Sequence, residues 1–108
     1  HVHEGEPART PYQFANVTVR PDHHQVHVDD RIVPVTYTEF RLLVLLAQHP
    51  DRAVSKEVLA DRLNDNRRLA PHAIESHVSR LRNKIVAAGG PRLIESVRGV
   101  GYRLRVPS

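Results

Sequence analysis

The sequence predicts an α+β fold, in which three helices lie between an N-terminal antiparallel β-sheet and a C-terminal β-hairpin. Three observations support this order: apolar residues alternate with polar ones over 12–35, recur at helical spacing over 36–88, and alternate again over 93–106. The 108 residues are enough for one domain with a single core. We expect that domain at 12–108, after a flexible linker or tail at 1–11 that is polar and shows no periodicity.

The segment 12–35 is expected to form a sheet of three or four short antiparallel strands. Valines recur at alternate positions, and turn-forming residues at 20–22 and 29–30 separate the alternating stretches. Pro34 has no backbone N–H, so it fits only an edge strand or the end of a strand.

Two helices with clear N-terminal signals follow the sheet. Thr36 and Glu39 predict a capping box, in which the Thr36 hydroxyl accepts from the Glu39 backbone amide and the Glu39 carboxylate reaches back. This first helix is apolar on nearly all sides, so we expect it to be the most buried one and to end before His49-Pro50. Ser55 predicts the N-cap of a second helix that runs to about Leu63.

The third helix, predicted at 71–88, is amphipathic. Pro71 suits its first position and Gly89-Gly90 ends it. Its apolar residues form one stripe: Ile74, Val78, Leu81, Ile85 and Ala88. The opposite face and its flanks carry hydrogen-bond donors: Ser76, His77, Ser79, Arg80, Arg82, Asn83 and Lys84. Such a face can lie in the DNA major groove and contact base edges, although an ordinary solvated helix face explains this element about equally well.

After the glycine pair, two alternating stretches within 93–106 flank a glycine-containing turn, which predicts a β-hairpin with Arg98 near its tip. Gly99 and Gly101 resemble the start of a dinucleotide-binding motif, but neither a third glycine nor a helix follows. Three helices followed by a basic hairpin make a winged helix-turn-helix. In this fold the third helix enters the major groove and the hairpin, or wing, places Arg98 in an adjacent minor groove.

Basic charge is concentrated at the C-terminal end of the chain. Residues 77–108 hold seven Arg or Lys and one acid, a balance of +6, whereas residues 1–76 hold nine bases and eleven acids, a balance of −2. This asymmetry is typical of proteins that bind a polyanion. RNA, an acidic protein or an anionic lipid would also suit a basic surface.

Four segments resemble the C-terminal effector domain of OmpR/PhoB-type two-component response regulators: TYTEFRLLVLLAQHP, VSKEVLADRL, IESHVSRLRNKI and ESVRGVGYRL. The resemblance extends from about Phe14 to Val106 and implies a bacterial transcription factor, normally switched by phosphorylation of an N-terminal receiver domain. Because the chain contains no methionine, we expect it to be cut from a longer polypeptide.

The resemblance also implies residue roles. It places recognition-helix positions on His77, Ser79, Arg80 and Arg82. Arg80 is expected to read bases, while His77, Arg82 and Lys84 contact phosphates. Arg98 matches the wing arginine that enters the minor groove, and Tyr102 matches a structural aromatic residue. From the residues alone, Arg82 could instead pair with Glu75 or Glu95, and Arg103 and Arg105 could merely make the strand soluble.

The partner that this resemblance implies is double-stranded DNA, bound as a tandem dimer on a direct-repeat operator by a domain that is monomeric in isolation. RNA polymerase is a possible further partner. However, Leu63-Asn64-Asp65-Asn66 replaces the Trp-Gly pair usual in the family, the following loop looks about one residue short, and His72 replaces a common arginine. These departures leave open a repressor, or an atypical regulator whose receiver domain is not phosphorylated or is replaced by another domain.

Other classes of function have little support. The sequence has no cysteine, no sensibly spaced carboxylate pair and no serine in a nucleophile motif, so we expect neither an enzyme nor a cofactor. The histidines near the N-terminus show no helical metal-binding spacing, and we expect no metal site. No apolar run approaches the roughly 20 residues that span a bilayer, and no signal peptide is present, so we expect a cytoplasmic protein. The main alternative is a winged helix that docks onto an acidic protein.

Overall fold

The computed structural model describes residues 11–63 and 70–105. The expected linker at 1–11, apart from its last residue, therefore lies outside the described residues. So does the loop at 64–69, which includes most of the departure from the family pattern. The domain boundary at residue 12 stays a prediction.

The N-terminal segment forms a four-stranded antiparallel sheet in which each strand pairs with the next, which agrees with the expected three or four strands. Its strands are β1 (Tyr12–Phe14), β2 (Val17–Arg20), β3 (Gln25–Val28) and β4 (Arg31–Val33). The alternating valines point into the core: Val17 pairs in register with Val28, Val19 pairs with Val26, and all four are fully buried. Pro34 directly follows the edge strand β4, where its missing N–H breaks no ladder.

Three helices follow: α1 (Tyr37–Ala47), α2 (Lys56–Arg62) and α3 (Ala73–Ala87). The capping box of α1 and the Ser55 N-cap of α2 are both present, and the Ser55 hydroxyl accepts from the Val58 amide at 3.1 Å. The prediction that Pro71 is the first residue of the third helix is wrong. Two i→i+3 turns, closed on the carbonyls of Ala70 and Pro71, precede the helix, and His72 is its N-cap.

The C-terminal hairpin consists of β6 (Ile94–Val97) and β7 (Gly101–Leu104). A two-residue strand that we did not predict, β5 (Val54–Ser55), pairs with the other edge of β7 and makes a three-stranded sheet in the order β5-β7-β6. Gly101 lies so close to the backbone of β5 that a Cβ there would overlap the Val54 carbonyl oxygen. The wing is therefore held by backbone pairing with β5, the strand directly before α2, as well as by the pairing within the hairpin.

One core joins both sheets and all three helices. Helix α1 is central: it packs against α3 and β7, and its buried residues are Glu39, Phe40, Leu42, Leu43, Leu46 and Ala47. Helix α3 contributes the predicted stripe of Ile74, Val78, Leu81 and Ile85, and the wing contributes Ile94, Tyr102 and Leu104. No helix in the described part of the chain is both long and apolar enough to cross a membrane.

Candidate nucleic-acid interface

The side of α3 that faces away from the core carries four exposed side chains: Ser76, Ser79, Arg80 and Asn83. We call these four residues the outer face of α3. They lie together because the apolar stripe at helical spacing is anchored in the core and turns the polar positions outward. Arg80 has no hydrogen-bond or ion-pair partner among the described residues, so its guanidinium N–H groups are free to bind a ligand.

The three predicted residues on the flanks of this face, His77, Arg82 and Lys84, are half-buried. Arg82 Nη1 donates to the backbone carbonyl of Ile94 at 3.1 Å. Its guanidinium therefore ties α3 to the start of β6 rather than pairing with Glu75 or Glu95, the two acids that the sequence offered.

Lys84 Nζ donates to Glu39 Oε1 at 2.7 Å, which joins α3 to the first turn of α1. Glu39 is completely buried, whereas one third of the Lys84 side chain is exposed. The same carboxylate oxygen accepts from the Thr36 amide at 3.0 Å. The structure thus gives Lys84 a partner inside the domain, where the sequence predicted an ammonium group directed at phosphate.

Glu39 is the only charged residue buried among the described residues. Burial acts to raise the pKa of its carboxyl group. The hydrogen bonds from Lys84 and the Thr36 backbone, with the positive charges of Lys84 and Arg80, outweigh burial, and the net effect lowers the pKa below its ordinary value. Glu39 Oε2 and His77 Nδ1 are buried polar atoms without a hydrogen-bond partner within residues 11–63 and 70–105.

A second ion pair links α2 to the beginning of α3. Lys56 Nζ on α2 lies 2.6 Å from Glu75 Oε2. The hydrogen bond from Lys56 lowers the pKa of Glu75, and the reverse interaction raises the pKa of Lys56. The acid nearest the outer face of α3 is therefore neutralised by a neighbouring helix, which keeps the face attractive to an anion.

The wing presents Arg98 at its tip. Arg98 is exposed in the turn between β6 and β7, where Gly99 adopts φ +77°, a conformation that favours glycine. Tyr102 is buried, as the family resemblance implied. The hairpin also holds Glu95, which accepts from Arg103 Nε at 2.6 Å and from Arg105 Nη1 at 3.3 Å.

The Arg103 hydrogen bond lowers the pKa of Glu95 despite some opposing desolvation, and the charges of both arginines add to this effect. Arg103 and Arg105 therefore share Glu95 as their carboxylate partner and do more than keep the strand soluble. No group of three or more possible metal ligands comes together in the parts of the chain that the structure describes.

The sequence and the fold of this chain match those of known proteins. A family model described as "Transcriptional regulatory protein, C terminal" matches residues 29–104. The response regulator MprA of Mycobacterium tuberculosis is 37% identical over 94 residues, which cover 86% of this chain and 41% of MprA. This chain thus spans about two fifths of the length of the curated relatives that it matches.

Two solved structures extend the comparison. The DNA-binding domain of CpxR from E. coli is 32% identical, with a TM-score of 0.79, and the match covers 92% of this chain and 99% of that domain. The DNA-binding domain of the response regulator AdeR, solved in complex with an intercistronic region, is 27% identical with a TM-score of 0.77 and covers 89% and 99%.

Proposed function

This chain belongs to the family of C-terminal domains of transcriptional regulatory proteins and is an OmpR/PhoB-type DNA-binding effector domain, and we propose that it recognises specific sites in double-stranded DNA. In this proposal, α3 lies in the major groove and the wing reaches an adjacent minor groove. The observation that carries it is the outer face of α3, where an unpaired arginine lies among serine and asparagine side chains with no acid between them.

Arg80 is the residue that we assign to base readout. It is exposed at the middle of α3, and an unpaired guanidinium can donate two parallel hydrogen bonds to guanine O6 and N7. Ser76, Ser79 and Asn83 surround it and supply shorter donors and acceptors for neighbouring bases or phosphates. His77 lies at the edge of this face, and we assign it to a contact with a DNA phosphate.

Arg98 is assigned to the minor groove. Its position on an exposed glycine turn lets the side chain extend from the body of the domain, and the negative potential of a narrow minor groove attracts an arginine. Arg82 and Lys84 support DNA binding indirectly in this scheme, because their bonds to Ile94 and Glu39 hold α3 against the wing and against α1.

The context of the domain is also part of the proposal. From the likeness to MprA, we infer the effector part of a bacterial two-component response regulator that acts in the cytoplasm. Tandem binding to direct repeats by a domain that is monomeric in solution, and contact with RNA polymerase, are the assembly and partner that the family resemblance suggests.

Selection of binding sites from random duplex DNA tests this function. Affinity for the selected duplex and for a scrambled duplex is then measured across a salt series. A specific regulator is expected to bind the selected site about 10³-fold or more tightly than the control. Equal and weak binding of both duplexes would refute specific recognition and would favour a winged helix that docks onto an acidic protein.

The Arg80→Ala variant tests the assignment of base readout. We expect it to lose about 1–3 kcal/mol of binding free energy on the selected site and to relax the preference at one base position. Arg31→Ala is the matched control, since it removes the same charge from an exposed position on strand β4 of the N-terminal sheet. Equal losses for Arg80→Ala on selected and scrambled DNA would contradict the role of Arg80 in reading bases.

A further inference from the structure

Three arginines that come from separate parts of the chain meet beside the base of the wing. Arg82 on α3, Arg92 in the segment before β6, and Arg105 directly after β7 line one depression of about 410 Å³. Ile94, Glu95 and Ser96 complete its lining. We call Arg82, Arg92, Arg105 and Glu95 the wing-base cluster. It lies outside the outer face of α3 and away from the wing tip.

The charge in this cluster is not balanced. Glu95 is the only acid among the described residues that line the depression, and Arg103 already donates to one of its oxygens at 2.6 Å. Arg105 reaches the other oxygen through a single longer contact of 3.3 Å, and two thirds of its side chain is exposed. Arg92 is exposed and has no hydrogen-bond or ion-pair partner among the described residues.

Each residue of the cluster has a distinct part in shaping it. Arg82 donates one N–H group to the Ile94 carbonyl, which ties α3 to the start of β6 beside the depression. Glu95 accepts a hydrogen bond from Arg105, and Arg92 lines the same depression. A guanidinium has five N–H donors, so both Arg92 and Arg105 keep most of theirs available. Excess positive charge with several available N–H donors around one depression is the chemistry that binds a phosphate oxygen.

One residue, Ser96, lines both this depression and the groove between the helices and the hairpin that contains Arg98. Arg92 precedes Arg98 by six residues, so the two lie at most about 20 Å apart at 3.3 Å per extended residue. Successive phosphates on one DNA strand advance by about 3.4 Å along the helix axis, so this distance spans at most about six of them.

We propose that Arg92 and Arg105 form a phosphate-binding site, shaped by Glu95 and Arg82, that contacts the DNA backbone flanking the bases read by α3 and the wing. The proposal rests on the DNA-binding function and adds two contacts to it. These contacts carry no sequence information, because every nucleotide presents the same phosphate. They increase affinity for all DNA and fix the orientation of the domain on the duplex.

The salt dependence of binding tests this proposal. Arg92→Ala and Arg105→Ala are each measured on the selected and the scrambled duplex between 50 and 200 mM salt. Loss of one phosphate contact lowers the slope of log affinity against log salt by about 0.9, so the fall in affinity over this range becomes about 3.5-fold smaller. The ratio of the two affinities is expected to stay that of the wild type. Arg92→Lys should keep the wild-type slope, because a phosphate also accepts a lysine ammonium group.

Arg31→Ala again serves as the control for simple charge removal, and its slope should equal that of the wild type. Wild-type slopes for Arg92→Ala and Arg105→Ala would overturn the phosphate site while leaving specific DNA recognition intact. A loss confined to the selected duplex would overturn it too, since that result indicates base readout. Failure of the wild type to discriminate between the duplexes would instead refute the proposed function, and slopes on scrambled DNA would still test the cluster.

Discussion

Replacement of Lys84 by alanine separates a structural role of this side chain from a role in DNA contact. The family resemblance predicts a phosphate contact, so the variant should bind all DNA more weakly. The structure places the Lys84 ammonium 2.7 Å from a fully buried carboxylate instead. Its loss should therefore lower the free energy of unfolding, because Glu39 would keep its negative charge inside the core with only the Thr36 amide as a donor.

The expected loss of unfolding free energy follows from the burial of Lys84 and Glu39. Removing one partner of a fully buried ion pair costs about 3–5 kcal/mol. One third of the Lys84 side chain is exposed, so water can reach the vacated position and reduce the cost to about 2–3 kcal/mol. For a domain of this size, a change of that size lowers the melting temperature by about 10–20 °C.

Denaturant unfolding of two matched variants measures this effect. Arg80→Ala is the control, because it removes a long basic side chain from the same helix one turn earlier, at an exposed position. We expect it to change the free energy of unfolding by about 0.5 kcal/mol or less. Glu39→Gln added to Lys84→Ala should restore part of the lost stability, since it removes the unpaired charge and keeps an oxygen for Thr36.

The DNA measurements complete the test. Lys84→Ala, assayed well below its melting temperature, should keep the wild-type salt slope. A structural role for Lys84 would be refuted if the variant unfolds within about 0.5 kcal/mol of the wild type and its salt slope falls by about 0.9. That result would make Lys84 a phosphate contact.

Three further predictions concern the scaffold of the interface. Gly101→Ala should destabilise the domain by about 1–3 kcal/mol in denaturant unfolding, because a Cβ would overlap the Val54 carbonyl. Gly99→Ala, which meets open space but retains φ +77°, should cost only about 1 kcal/mol, and an equal cost for both would contradict the close approach at residue 101. Thr36→Ala should cost about 1 kcal/mol through loss of the α1 cap, as measured by thermal melting. Because the pKa of Glu39 is lowered on folding, its contribution to the free energy of unfolding is present above the ordinary pKa of about 4.5 and should disappear as the pH falls through the lowered value. Urea midpoints that do not fall between pH 5 and pH 3 would oppose this.

Local signals in the sequence predicted most of the fold. The structure confirms the alternating valines, the Thr36 capping box, the Ser55 cap and the four-three spacing of α3. Each of these features depends only on residues close together in the sequence, so the sequence pattern alone could predict it. The two-residue strand β5 could not be predicted in this way. It is too short to show an alternation, and its pairing partner lies nearly 50 residues away along the chain.

The sequence also determined by itself which face of α3 is polar and outward. Helical geometry turns Ser76, Ser79, Arg80 and Asn83 away from any apolar stripe formed by Ile74 and its helical repeats, whatever else the fold contains. The same argument placed Arg98 in an exposed turn, because a glycine-rich break between two alternating segments has to reverse the chain.

Only the tertiary structure decided which basic side chains remain free. Lys84 and Glu39 are 45 positions apart, Arg82 and Ile94 are 12 apart, and Lys56 and Glu75 are 19 apart. A lysine or arginine on the flank of a helix has the same sequence pattern whether it faces a phosphate, a buried carboxylate or a backbone carbonyl. The partner depends on how α1, α2 and the wing pack around α3, and this packing fixes Lys84 and Arg82 inside the domain and leaves Arg80, Arg92 and Arg98 for a ligand.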